Sequence, residues 1–419
     1  MEVLLLVGTR PEAVKAAPVA LALADHPVLR PVIIHSGQHV GMVEQALAPF
    51  GLAPAEALAV TRGGGGQAEL MAEVLPELEA VLTRRRPAAV IVQGDTTTTL
   101  AGALCAFWQG IPVVHLEAGL RTGDLAAPFP EEGNRQMVAR VAALHLAPTP
   151  DAAAALRRES VPDRDIVITG NTVVDAVRHI AAADQPATNP TLAAVEALPG
   201  RLVLVTVHRR ESWGPPLNEV LCAVRTLVER HPDVHVVLPT HPNPAVRAQV
   251  HAVLGDADRV AVTPPLDYPD LVRALRRAAL VITDSGGIQE EAPTFGVPVL
   301  VAREVTERRE AVDAGCAWLV GTSGPTLLAH ADHILRTGLR VPADSNPFGD
   351  GHAAARVRDA VARLLGQPTL GSPTSPTWAS RNVVSADSVV AAATPAVRSR
   401  STVVLNPSRA ASIAVARTQ

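Results

Sequence analysis

Three acidic residues stand close to the ends of apolar runs, the places where α/β proteins commonly do their chemistry. Asp95 follows AAVIVQG, Glu117 follows PVVHL, and Glu131 lies in the Pro/Gly-rich stretch PFPEEGNRQ. A carboxylate in such apolar surroundings is costly unless it is paired or used. Pairing of Glu117 and Glu131 with Arg121 or Arg135 is one reading, and helix capping at Asp95 or Thr96 is another. Three acids gathered at adjacent strand ends favour acid/base work.

Cations stand at similar places. Arg10 and Lys15 follow the first apolar run in GTRPEAVK, where Pro11 suits the first turn of a helix. His208 follows RLVLVTV beside Arg209 and Arg210, and Arg308 follows PVLVAREVTE. Ser285, Gly286 and Gly287 end the run LVITD and open a helix, so bare N–H groups and the helix dipole suit a diphosphate. Glu291 lies about one turn into that helix. The competing reading is that these glycines only permit a tight turn. No GxGxxG follows an apolar run and neither Walker A nor HExxH is present, so no nicotinamide, flavin or metal chemistry is indicated. Gly63–Gly66 read as a flexible loop.

Positioning these groups requires a regular scaffold. Apolar runs of strand type recur at 3–7, 31–36, 88–94, 112–118, 144–149 and 166–170, and again at 201–207, 234–240, 259–265, 280–285, 298–302 and 318–321. They do not alternate in polarity, and Ala-rich helical patterns separate them, which indicates parallel strands buried on both faces. The expected class is α/β, with two Rossmann-like doubly wound parallel-sheet lobes. We expect an N-terminal lobe over 1–171 carrying the acids and a C-terminal lobe over 172–351 binding the anion. A helix at 352–366 closes the second lobe or crosses back to the first. Residues 367–419 carry five Arg against the single Asp387, hold many Ser, Thr, Pro and Ala, and read as a disordered tail outside catalysis.

Composition narrows the class. Aromatics make up only 2% of the chain, so the core must be built from Ala, Val and Leu. A formal charge of −4 excludes a dedicated nucleic-acid surface and leaves any anionic ligand to local cations. Cys105, Cys222 and Cys316 are few and far apart, which suits free thiols in a reducing compartment. MEVLLLVGTR lacks a basic segment and a cleavage site, and reads as a first strand. No run reaches membrane-spanning length without charge or proline, so a cytoplasmic protein is expected.

Read together, GTRPEAVKAAP, QGDTTTTLA, HLEAGLRTGD, PFPEEGNRQ, ITGNTVVDA, HRRESWG, TDSGGIQEEAP and NPFGDGHAAARV resemble the non-hydrolysing UDP-N-acetylglucosamine 2-epimerases, in order from residue 1 to about 366. The resemblance implies a GT-B fold with an interlobe cleft, a homodimer, and interconversion of UDP-GlcNAc and UDP-ManNAc without metal or redox cofactor for cell-envelope polysaccharide. It places Arg10, Lys15, Asp95, Glu117, Glu131, His208, Ser285, Gly286, Gly287, Glu291 and Arg308 at functional positions. Of these, Asp95, Glu117, Glu131 and His208 are expected to be catalytic. It also implies a second UDP-GlcNAc as activator near Gln38-His39-Val40-Gly41, where Gly41 replaces a longer polar residue. Gln93 replaces a common His, Arg309 a common Pro, and Leu271 an aromatic near the uracil.

The chemistry follows from the substrate. The sugar C2–H is not acidic until the C1–oxygen bond to UDP breaks. The expected course is anti elimination to 2-acetamidoglucal and UDP, then syn re-addition, with the cations and the Ser-Gly-Gly turn stabilising departing UDP. Inversion needs acid/base groups on both faces, and the carboxylate trio supplies them. A glycosyltransferase of the same fold, a hydrolysing epimerase and a non-catalytic UDP-sugar sensor are the rival readings.

Overall fold

The computed structural model describes residues 1–37, 41–60, 66–207, 209, 212–342 and 345–373. The chain opens with β1 (Glu2–Val7), α1 (Arg10–Ala24), β2 (Arg30–His35), α2 (Met42–Leu47), β3 (Glu56–Ala57) and α3 (Gln67–Arg85). There follow β4 (Ala89–Gln93), α4 (Thr97–Trp108), β5 (Val113–Leu116), α5 (Glu131–Val141), β6 (Leu144–Ala147), α6 (Pro150–Arg158) and β7 (Ile166–Ile168). These seven strands form one sheet, in the order β3-β2-β1-β4-β5-β6-β7, with every pairing parallel.

Helices α7 (Thr172–Ala183) and α8 (Pro190–Glu196) lead to the second sheet. It is built from β8 (Arg201–Thr206), α9 (Pro215–Arg230), β9 (Val234–Pro239), α10 (Pro244–Leu254), β10 (Val260–Thr263), α11 (Tyr268–Arg277) and β11 (Ala278–Thr283). Then come α12 (Gly286–Glu291), β12 (Val299–Val301), α13 (Arg309–Asp313), β13 (Ala317–Leu319), α14 (Gly324–Thr337) and α15 (Ala353–Leu364). Its order is β10-β9-β8-β11-β12-β13, again all parallel.

Central strands such as β1, β4 and β11 are buried along nearly their whole length because helices cover both faces. All twelve expected runs became strands. The thirteenth, β3, is a two-residue edge strand beside β2 without an apolar run of its own.

Two features of this topology place the chemistry. Strand order reverses between β1 and β4 in the first sheet and between β8 and β11 in the second. Crossovers leave to opposite faces at such a switch point, which opens a crevice beyond the strand ends. Gly8–Glu12, Gly94–Thr97 and Asp284–Gly287 all emerge there. In addition, α15 packs against α1 and α7, and its Val357, Ala360 and Val361 join the core under the first sheet. Among the described residues no helix is long and apolar enough to cross a membrane.

Candidate active site

The two crevices open into a single cleft of about 760 Å³. Its first wall carries Arg10, Lys15, Gln93, Asp95 and Glu117, and its second carries Leu266, Tyr268, Ser285–Gly287, Glu291 and Arg308.

The first wall is held by Glu12, which is buried at the start of α1. Its Oε2 accepts from the N–H groups of Gly8 and Thr9 at 2.6 and 2.8 Å, and its Oε1 accepts from Thr96 Oγ1 at 2.5 Å. One carboxylate thus ties the turn after β1 to the turn after β4. Burial pushes its pKa up, against the pull of these donors. Thr96 caps α4 by accepting from Thr99 N–H, so the cap and the neighbouring Asp95 do separate jobs. Asp95 Oδ2 accepts from Arg135 Nε at 2.8 Å and pairs with its Nη2 at 2.6 Å, while Asn134 Nδ2 donates to the Asp95 carbonyl at 2.8 Å. Beneath them His115 Nε2 lies 2.8 Å from the Gly94 carbonyl. Burial drives this histidine down to about 3, so it stays neutral and acts as a fixed strut.

Glu117 directly follows β5 with φ 65°, a left-handed conformation that costs a non-glycine residue on the order of 1–3 kcal/mol. Strain of this kind concentrates at functional sites because surrounding contacts must hold it. Two residues on, Gly119 has φ 93°, and a Cβ there would lie 2.2 Å from the Ala152 carbonyl oxygen. Only glycine lets the loop press onto α6 and so aim Glu117 into the cleft.

A buried ionic quartet crosses the cleft floor. Lys15 Nζ lies 2.5 Å from Glu117 Oε2 and 3.2 Å from Glu290 Oε2. Arg308 Nε donates to Glu290 Oε1 at 2.9 Å, and its Nη2 is 3.8 Å from Glu117 Oε1. Gln93 Nε2 donates to Glu117 Oε2 at 2.5 Å. Two cations and two carboxylates nearly isolated from water balance one another. Burial opposes the Lys15 charge, but Glu117 and Glu290 together outweigh it and raise its pKa. Burial opposes the Arg308 charge in the same way and is overcome by Glu290 and then Glu117. Glu117 is raised by burial and by Glu290, whereas Lys15 and Arg308 overcome the burial of Glu290 and hold it low.

On the second wall Arg308 packs on Gly286, where a Cβ would meet its guanidinium carbon at 3.2 Å. Glu291 is pushed up to about 8 by burial and by Glu290, and its Oε2 finds no hydrogen-bond partner among the described residues. Tyr268 Oη reaches Glu291 Oε1 at 3.5 Å, and Arg10 lies 5.9 Å over the Tyr268 ring. Both Nη atoms of Arg10 also lie 3.3 Å from the Leu266 carbonyl, which ties the two walls together through backbone. Asp284, at the end of β11, accepts from Arg209 N–H at 2.8 Å and so fixes the turn after β8.

Of the residues singled out in the sequence, Arg10, Lys15, Asp95, Glu117, Ser285, Gly286, Gly287, Glu291 and Arg308 meet in this cleft. Glu131 does not line it. This residue stands half-buried in the first turn of α5, one turn from the Arg135 that grips Asp95. The ion pairs considered for Glu117 and Glu131 go elsewhere, since Arg121 binds Glu159 and Arg135 binds Asp95 and Glu132. His208 and Gln38-His39-Val40 lie outside the described residues, and Gly41 precedes α2 with φ 77°. Leu271 lines the cleft. Glu12, Glu290 and Arg135 were not foreseen. Glu12 at the third helical position after Thr9 carried a capping signal, but nothing marked which acid of Glu290-Glu291 would face the cations.

A sequence model described as UDP-N-acetylglucosamine 2-epimerase matches residues 21–362. The UDP-N-acetylglucosamine 2-epimerase of Escherichia coli K12 is 41% identical over 377 residues, covering 86% of this chain and 98% of that protein. A Staphylococcus aureus MnaA–UDP co-structure superposes with a TM-score of 0.79 at 37% identity, covering 88% of this chain and 99% of that one. The Neisseria meningitidis UDP-GlcNAc 2-epimerase bound to UDP-GlcNAc gives 0.78 at 34% identity, covering 88% and 100%.

Proposed function

The chain belongs to the UDP-N-acetylglucosamine 2-epimerase family, a family of isomerases with the GT-B-like two-lobed fold, and on that premise we propose that it inverts C2 of UDP-GlcNAc by eliminating and re-adding UDP. The observation that carries this reading is the shared cleft. Asp95 and Glu117 stand on one wall, and the Ser285–Gly287 turn with Arg308 stands on the other. A nucleotide sugar lying across it puts its diphosphate against the turn and its sugar against the carboxylates. The leaving diphosphate gains negative charge as the C1–O bond stretches, and Arg10, Lys15 and Arg308 are fixed in advance to meet it. Once the oxocarbenium ion forms, C2–H becomes acidic and a carboxylate removes it. UDP then returns to C1 as a proton is delivered to the opposite face of C2.

Asp95, Glu117 and Glu131 are the acid/base set in this reading, with His208 assisting at the phosphates. Arg135 holds the Asp95 carboxylate in place through two close contacts, while burial leaves Glu117 more basic than an ordinary carboxylate. Glu131 lies on the helix that binds Asp95, one turn from the residues that grip it. The product supplies cell-envelope polysaccharide synthesis by the same reading. Free thiols at all three cysteines suit a cytoplasmic setting.

Cleavage of C1–O is tested with UDP-GlcNAc carrying ¹⁸O in the bridge between C1 and the β-phosphorus. Reversible elimination frees the β-phosphate to rotate, so the label should scramble into non-bridging positions in recovered substrate. Label confined to the bridge while epimerisation proceeds would contradict it.

A further inference from the structure

The four charges on the cleft floor divide into one cation and one acid on each wall. Lys15 and Glu117 belong to the first sheet's elements, Glu290 to α12, and Arg308 to the segment between β12 and α13. Each cation touches both carboxylates, so every arm of the quartet but two crosses the cleft. Glu290 is 1% exposed and not among the residues lining the cleft, whereas Glu117 is. One acid therefore faces ligand, and the other serves only the cations.

We propose that Glu290 is a positioning residue that grips Arg308 and shares Lys15 with Glu117 across the cleft floor, so that Glu117, although bonded to Lys15, can still exchange a proton. If Glu290 were absent, Lys15 would keep Glu117 as its counter-charge, and Arg308 would be left with Glu117 and Glu307, each 3.8 Å away. A carboxylate clamped by two ammonium-type charges is a poor base, because taking up a proton means giving up both attractions. With Glu290 in place, its own charge offsets theirs. The inference rests on reading Glu117 as an acid/base group.

The surrounding charges fit this division of labour. Facing Glu117 are Lys15 from α1, Gln93 from β4, Arg308 and Glu290. Facing Glu290 are Lys15 and Arg308, with Glu291 and Tyr268 acting at longer range. Arg308 has Glu307 and Glu310 nearby, and Arg10 acts on Glu291. Thus Glu290 is the carboxylate held ionised, and Glu117 is the one left basic.

The test measures kcat and kcat/KM for epimerisation against pH, together with UDP affinity by calorimetry, for the wild type, Glu290→Gln, Glu290→Asp and Glu117→Gln. Glu290→Gln should lose about tenfold or more in kcat. Its acid limb should move to lower pH, and UDP should bind at least as tightly because the floor gains positive charge. Glu290→Asp keeps the charge and should return the limb to its wild-type place with part of the rate. A Glu290→Gln enzyme with unchanged kcat, or with reduced kcat on an unmoved limb, overturns the proposal. So does loss of UDP binding, which would indicate a structural role. If Glu290→Gln does not fold, Glu290→Asp decides alone: lowered kcat at constant KM supports the proposal, and full kcat overturns it. Activity retained in Glu117→Gln would sink the reading of Glu117 itself. An inactive Glu117→Gln with an unmoved limb in Glu290→Gln sinks only the role of Glu290.

Discussion

Glu291 illustrates how far a single residue can be read. Its position one turn into the helix after Ser-Gly-Gly was visible in the sequence, but its burial and its neighbour's charge were not. In the folded protein its pKa rises from the ordinary 4.5 to about 8, because burial and Glu290 both disfavour the carboxylate. A group raised on folding stabilises fully below its unfolded value, and that contribution is lost as pH rises through the folded one. The window therefore runs from about 4.5 to about 8. Glu291→Gln, which needs no proton, should show a flatter dependence of unfolding free energy on pH across that window than the wild type. Denaturant titrations at several pH values read this directly, and parallel curves for the two proteins would contradict it. The sequence showed candidate acids at strand ends because charge in apolar company is conspicuous. Glu290 escaped notice because two adjacent helical glutamates look alike until the opposite wall supplies Lys15.

Elements carry these residues through a few backbone constraints. The left-handed Glu117 depends on Gly119, whose missing side chain admits the Ala152 carbonyl. Gly119→Ala forces both a steric overlap and an unfavourable φ, and should cost roughly 1–3 kcal/mol of stability. Because α6 and the β5 end would then part, kcat should fall more than UDP affinity does. Thermal melts, UDP calorimetry and epimerase assays on one preparation separate these effects, and unchanged kcat would show that the loop does not aim Glu117. Legibility differed by element for a physical reason. The twelve apolar strands were visible because two-sided burial demands continuous Val, Ile and Leu, as in β1 and β11. Edge strand β3 buries little and left no such trace. The strut His115 was hidden inside a strand pattern, where nothing announced its bond to the Gly94 carbonyl.

At the scale of the molecule, two open sheets present their switch points to one another, and the cleft between them joins residues far apart in sequence. Arg10 meets the Leu266 carbonyl, Lys15 meets Glu290, and Thr149 Oγ1 donates to Glu310 at 2.9 Å. None of these pairs was visible beforehand, since sequence pattern encodes an element's own face and not its distant partner. The ordered motifs supplied the family, and the cleft gave those motifs a common place. The central claim is that a protein carboxylate removes the C2 proton after C1–O cleavage and that another group returns one. It is tested most directly by NMR of the purified protein with UDP-GlcNAc in deuterium oxide. The account predicts UDP-ManNAc carrying deuterium at C2, with deuterium also entering the remaining UDP-GlcNAc as the reaction reverses. UDP-ManNAc with protium retained at C2, or UDP released without UDP-ManNAc, would contradict it.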